Sequence, residues 1–117
     1  MSKRSLTKRS YSLFWECVGG SIQKDESTYL GGIREAQEEV GVDLTNSSYK
    51  FITSFVRHDI QDIVDVYLFE YDGVASLSLA TTDEVVETKW MKKEEIVNLY
   101  QNNKLMPTLK YFFELDI

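Results

Sequence analysis

Ser27-Thr28-Tyr29-Leu30-Gly31-Gly32-Ile33-Arg34-Glu35-Ala36-Gln37-Glu38-Glu39-Val40-Gly41-Val42 is the stretch that decides the fold. Leu30, Ile33, Ala36 or Gln37, and Val40 recur at three- and four-residue spacing, which is the period of an amphipathic helix, and Gly41 supplies its stop. At about 100° per residue, Glu35, Glu38 and Glu39 fall within a sector of roughly 100°, with Leu30, Ile33 and Val40 on the other side. The reading is one core face and one carboxylate face. Like charges at these spacings cost a helix about 0.2–0.5 kcal/mol per pair, and Glu35 faces both other glutamates. Arg34 relieves part of that repulsion. A hard divalent cation, Mg²⁺ or Mn²⁺, offsets more of it because it takes oxygen ligands; a solvated acidic face is the alternative. Gly31 and Gly32 each cost a helix interior about 1 kcal/mol relative to alanine, which predicts that another segment packs closely there, with Gly19-Gly20 as the candidate.

Upstream of this helix, Phe14 to Val18 has the aromatic and β-branched content of a short strand, stopped by Gly19-Gly20. Residues 1–14 are basic and rich in hydroxyls, with Lys3, Arg4, Lys8 and Arg9. Downstream, Tyr49 to Arg57 and Ile63 to Tyr71 read as a hairpin across a polar turn. A loop from Asp72 to Asp83 leads to a short strand around Thr88 to Met91. Lys93 to Tyr100 follows as a short helix, and Pro107 opens a last one through Phe113. Helices and strands are mixed, so the class is α+β or a mixed-sheet sandwich.

The chain has 117 residues, 43% of them hydrophobic, which is enough for one core and predicts a single domain over residues 1–117. Thirteen Lys and Arg against nineteen Asp and Glu give a net charge of −6, which repels a nucleic-acid backbone and argues against nucleic acid as a partner. No apolar run approaches the roughly 20 residues that cross a bilayer, so no membrane partner is expected. The single cysteine, Cys17, excludes an internal disulfide framework, and with no secretory signal at the start it leads to a cytoplasmic reading. Cys17 and Trp90 are expected to be packing groups, and His58 a surface residue of the hairpin turn.

Gly20, five residues, Glu26, seven residues and Arg34-Glu35-Ala36-Gln37-Glu38-Glu39-Val40-Gly41-Val42 together resemble the signature box of the Nudix (MutT-like) hydrolases. Gly20, Glu26, Arg34, Glu35, Glu38, Glu39 and Gly41 fill all seven identity positions; Ala36 is smaller than the usual aliphatic residue and Val42 fits. Trp15-Glu16 ahead of the glycine pair resembles the lead-in strand, with Val18 where a proline is frequent. The resemblance implies an α/β/α sandwich with a mixed β-sheet and Mg²⁺- or Mn²⁺-dependent hydrolysis of a nucleoside diphosphate linked to another moiety. It implies metal ligation by Glu38 and Glu39, with the Gly19 carbonyl as a further oxygen, and makes Glu35 a ligand or the general base. Arg34 and Glu26 become the pair that fixes loop to helix, with Gly20 and Gly41 structural. Glu84 is preferred over Glu87 as the further acidic residue, and the catalytic set is then Glu35, Glu38 and Glu84. Arg4 and Lys8 are candidates to meet substrate phosphates, with solvated surface charges as the alternative, and Trp15 is a candidate to stack on a base, with filling core volume as the alternative.

Eighteen residues precede Gly19, fewer than the family's usual lead-in, so the domain reads as N-terminally shortened and lacking its N-terminal strand. An exposed sheet edge would follow, and with it a homodimer or reduced stability. Two other functions compete. An isomerase similar to isopentenyl-diphosphate isomerase shares the sandwich and an early cysteine, but draws on several histidines where this chain has one. The other is a non-catalytic Nudix-fold nucleotide-binding module.

Overall fold

Ser27 caps the first helix: its hydroxyl accepts a hydrogen bond from the Leu30 N–H at 3.1 Å. The helix, α1, spans Thr28–Val40 in the computed structural model, which describes residues 1–114. Residues 115–117 of the expected domain lie outside the described residues. Gly41 ends α1 at φ +66°, and the N–H groups of Gly41 and Val42 donate to the carbonyls of Gln37 at 3.1 Å and Ala36 at 3.2 Å. A side chain at this position would also strike the Ser76 carbonyl, so two constraints select glycine.

Five strands accompany it: β1 (Ser2–Arg4), β2 (Trp15–Glu16), β3 (Tyr49–Arg57), β4 (Asp62–Phe69) and β5 (Val85–Thr88). A second helix, α2, covers Lys93–Gln101, and 3-10 segments cover Leu77–Leu79 and Pro107–Glu114. Strand β1 lies between β2 and β5 and is antiparallel to both, with Lys3 opposite Trp15 on one side and Glu87 on the other. The β3–β4 hairpin is antiparallel from Tyr49 opposite Phe69 to Arg57 opposite Asp62, with an irregularity between Phe51 and Thr53.

The expected single mixed sheet is therefore two antiparallel sheets. Strand β1 uses both of its edges on β2 and β5, which leaves the hairpin to pair with itself. Among the described residues, the isolated bridge from Trp15 to Leu105 is the parallel pairing. The N-terminal residues, expected to border an unpaired neighbour, instead form the centre strand of the larger sheet, and the edge strands are β2, β5 and both strands of the hairpin.

Two apolar clusters flank the three-stranded sheet. Ala36, Val40, Val42, Leu44 and Val85 join α1 to β5, with Ile33, Phe69 and Tyr71 packed against them. Trp15, Ile96, Leu105 and Leu109 join β2 to α2 and the last 3-10 segment. This gives the helix, sheet, helix layering of a sandwich. The two faces of α1 differ from the simple expectation. Leu30 is exposed, because Thr28 and Tyr29 anchor the first turn instead: the Thr28 hydroxyl donates to Asp65 at 2.9 Å, and the Tyr29 ring lies 4.3 Å from that of Tyr49. Glu39, placed on the polar face by periodicity, is only 6% exposed.

Candidate active site

Arg34 sits at the centre of the acidic helix. Its Nε and Nη2 fork onto Glu26 at 2.9 and 3.1 Å, Nη2 also donates to the Ser21 carbonyl at 3.0 Å, and Nη1 reaches Glu35 at 3.1 Å and Glu38 at 3.0 Å. One guanidinium thus contacts three carboxylates, offsetting one of their charges, and ties the Gly20–Ser27 loop to α1. These bonds hold Glu26 below the usual carboxylate range. Gly20 lies against Glu35, and a side chain there would run into the Glu35 carboxyl group. Gly31 admits Ile22 and Glu26 of the same loop. Gly32 faces open space, so of the two helix glycines only Gly31 has the close neighbour that the sequence predicts.

A second acidic group lies where α1 meets the start of β5. The Thr81 N–H donates to the Glu38 carbonyl at 2.8 Å, and the Ser5 N–H donates to the Glu84 carbonyl at 2.9 Å. These backbone bonds bring Glu84 beside Glu39. Burial and the facing Glu84 carboxyl, with Glu35 and Glu16 adding repulsion, push Glu39 up to about 8. Glu84 is held low by the hydrogen bond it accepts from Glu39 and by Lys8. Burial likewise raises Glu35 against the pull of Arg34.

The basic N-terminal residues already have partners here. Arg4 Nη1 contacts both carboxylate oxygens of Glu16, at 3.2 and 3.1 Å, and Lys8 Nζ lies 3.3 Å from Glu84. Both are partly buried, which removes the reading of free surface charges. Glu16, which the sequence does not single out as a site residue, belongs to this group. The signal was its place in the strand before Gly19-Gly20, paired with the strand that carries Arg4. Glu87 pairs with Lys3 at 3.9 Å and is not among the charges felt by Glu39, which favours Glu84.

The carboxylates divide between Arg34 and the Glu39–Glu84 contact. Among the described residues no three His, Cys, Asp or Glu side chains converge closely enough to form a ready metal cage. The donor set still suits a hard divalent cation: it is all oxygen, and burial together with the neighbouring carboxyl groups of Glu84, Glu35 and Glu16 makes the charged form of Glu39 costly without a counter-charge.

Two aromatic assignments exchange places. Trp15, a candidate for base stacking, is 8% exposed and packed in the α2 core. Its position on β2 opposite Lys3 points the ring toward Ile96 and Leu105 rather than toward the site. Trp90, expected in the core, is 65% exposed. Cys17 is exposed rather than packed, and His58 is exposed at the hairpin turn as expected. A cleft of about 980 Å³ lies between the two sheets, with Arg4, Glu16, Gly20, Glu35, Tyr67 and Trp90 among its walls. No described helix is long and apolar enough to cross a membrane.

Known proteins resemble this chain in sequence and in fold. The chain is 29% identical over 117 residues to the uncharacterized Nudix hydrolase lmo0368 of Listeria monocytogenes, covering 97% of this chain and 64% of that protein. It is 37% identical over 49 residues to an 8-oxo-dGTP diphosphatase of Proteus vulgaris, covering 42% of this chain and 41% of that protein. The chain thus spans less than two thirds of the length of these relatives. A crystal structure of DR0079 from Deinococcus radiodurans superposes with a TM-score of 0.72 at 20% identity, over 89% of this chain and 64% of that one, a likeness of fold. The NUDIX domain family model matches residues 1–114. An acidic helix locked to its glycine loop by Arg34, the sandwich around it and that match together make this chain a member of the NUDIX domain family.

Proposed function

We propose that this domain hydrolyses the pyrophosphate bond of a nucleoside diphosphate linked to another moiety, with Mg²⁺ or Mn²⁺ as its cofactor. The observation that carries the reading is the buried Glu39 carboxyl facing Glu84, with Glu35 and Glu16 close enough to raise it further. Three carboxyl groups around a fourth, buried one form a site that a divalent cation would stabilise. The names of the relatives, an uncharacterized Nudix hydrolase and an 8-oxo-dGTP diphosphatase, support a hydrolase reading.

In this reading Glu38 and Glu39, with the Gly19 carbonyl, hold the metal, and Glu35 either joins them or accepts the proton of the attacking water. Bound there, the metal would neutralise diphosphate charge and acidify a water. Glu84 supplies a further ligand or the base. Arg34 and Glu26, with Gly20 and Gly41, position the helix rather than touch substrate. Lys8 and Arg4, now on Glu84 and Glu16, are the cations within reach of a substrate phosphate. We also take residues 1–117 as one domain acting in a reducing, cytoplasmic setting, on the ground of size and the single cysteine. A homodimer through the hairpin belongs to the same reading, supported by exposed Phe51, Val56 and Ile63 beside open strand edges.

The test is Mg²⁺-dependent release of phosphate or nucleoside monophosphate across nucleoside triphosphates, nucleotide sugars and dinucleotides. Release that Glu39→Gln and Glu38→Gln abolish is expected. A second reading, a non-catalytic nucleotide-binding module, is favoured by one observation: Arg34 and Lys8 already neutralise acidic groups of the site. Binding of nucleotides with no release from any substrate selects it.

A further inference from the structure

We infer that Trp90 is the platform on which the planar base of the substrate stacks, which rests on the nucleotide reading above and narrows it. Trp90 follows β5 and is 65% exposed, an unusual position for the largest apolar side chain. Its ring is nonetheless fixed, because Nε1 donates to the Gly73 carbonyl at 3.1 Å. A second aromatic lies on the same residue: a Cβ at Gly73 would meet the Tyr71 hydroxyl at 2.6 Å and its ring carbon at 2.7 Å, so glycine lets the phenol lie directly on this backbone. Tyr71, Val74 and Trp90 line the same cleft as Gly20 and Glu35.

The remaining aromatic rings of the cleft are committed elsewhere. Tyr67 and Phe69 pack with Tyr29 and Tyr49 against the start of α1, and Phe55 packs on Tyr111. Among the described residues the Trp90 ring stacks on no other aromatic ring. A pinned indole with an uncommitted face beside a carboxylate-lined cleft suits a flat π-system, and every nucleobase has one. An isoprenoid or a plain sugar diphosphate has none. The specificity is therefore for a nucleotide, with little preference among bases from stacking alone.

The chain's two tryptophans make this measurable by emission. Titration of the whole protein, with Ca²⁺ present, uses α,β-methylene-ADP as the base-bearing probe and methylenediphosphonate as the base-free one. The expected result is that iodide reaches one of the two tryptophans, and that α,β-methylene-ADP quenches it and shields it from iodide, whereas methylenediphosphonate does neither. Trp90→Leu should remove the quenching and weaken α,β-methylene-ADP binding roughly tenfold, and Trp90→Phe should restore most of the affinity. Equal quenching by the base-free probe, or unchanged affinity in Trp90→Leu, overturns the assignment. Should Trp90→Leu fail to fold, iodide shielding in the unmodified protein decides. Hydrolysis of base-bearing and base-free diphosphates at equal kcat/KM overturns the stacking role and leaves hydrolysis standing; no hydrolysis of any diphosphate removes the reading beneath it.

Discussion

Glu39, from the last turn of α1, and Glu84, from the residue before β5, lie beside each other across 45 positions of sequence, close enough for each to shift the other's protonation. The contact is possible because the Glu38 carbonyl accepts from the Thr81 N–H, which draws the loop ahead of β5 onto the end of the helix. An acidic pair buried this way is unfavourable when both groups are charged.

A pH dependence of stability follows. The folded state raises Glu39 from 4.5 to about 8, so its contribution is fully present below pH 4.5 and is lost as pH rises through 8. Glu84, lowered in the folded state, works in the opposite sense, adding stability above its unfolded value that is lost as pH falls through the folded one. In chelator, Glu39→Gln should gain stability over the unmodified protein progressively between pH 5 and 8, by roughly 1–3 kcal/mol at the upper end. Thermal melts across that range check it, and parallel curves for the two proteins contradict it.

Arg34→Ala leaves Glu26, Glu35 and Glu38 without their shared partner. A loss of about 2–4 kcal/mol is expected, measured by urea denaturation at pH 7. Arg34→Lys keeps the charge but lacks the fork onto Glu26 and should recover less than half of it.

The two helix glycines separate cleanly. Gly31→Ala must turn aside the exposed end of Ile22 and the Glu26 carboxyl group, which offsets part or all of the helix gain of alanine. Gly32→Ala meets nothing within 4 Å and should stabilise by roughly 0.5–1 kcal/mol. The melting temperature should therefore rise more for Gly32→Ala than for Gly31→Ala, and equal rises contradict the close approach at Gly31.

Lys8 neutralises Glu84 in the absence of another cation. Lys8→Met should therefore tighten Mn²⁺ binding about two- to fivefold when no phosphate is present, the size of a partly exposed ion pair. With a non-hydrolysable diphosphate present the same variant should bind substrate more weakly. Calorimetric titration gives both numbers, and a change of the same sign in each contradicts the dual role.

Much of this was legible in the sequence, for identifiable reasons. Helix α1, its Gly41 stop, the β3–β4 hairpin, α2 and the Pro107 turn follow from local periodicity and backbone chemistry. The Arg34–Glu26 pair was legible only through the resemblance of the Gly20 to Val42 stretch to the family's signature box. Burial depended on contacts distant in sequence and was less legible. Leu30 turned outward because Thr28 and Tyr29 found the hairpin, and Glu39 turned inward because Glu84 arrived from β5. The tryptophans exchanged roles for the same reason: the bridge from Trp15 to Leu105 and the bond from Trp90 to Gly73 join residues that local patterns do not relate.

The central claim is that a divalent cation binds among Glu35, Glu38, Glu39 and Glu84. Mn²⁺ titration followed by electron paramagnetic resonance tests it directly. The account predicts saturable binding at sub-millimolar Mn²⁺ that Glu39→Gln weakens at least tenfold while the variant stays folded. Equal binding by the two proteins, or none below millimolar Mn²⁺ in the unmodified one, would contradict it.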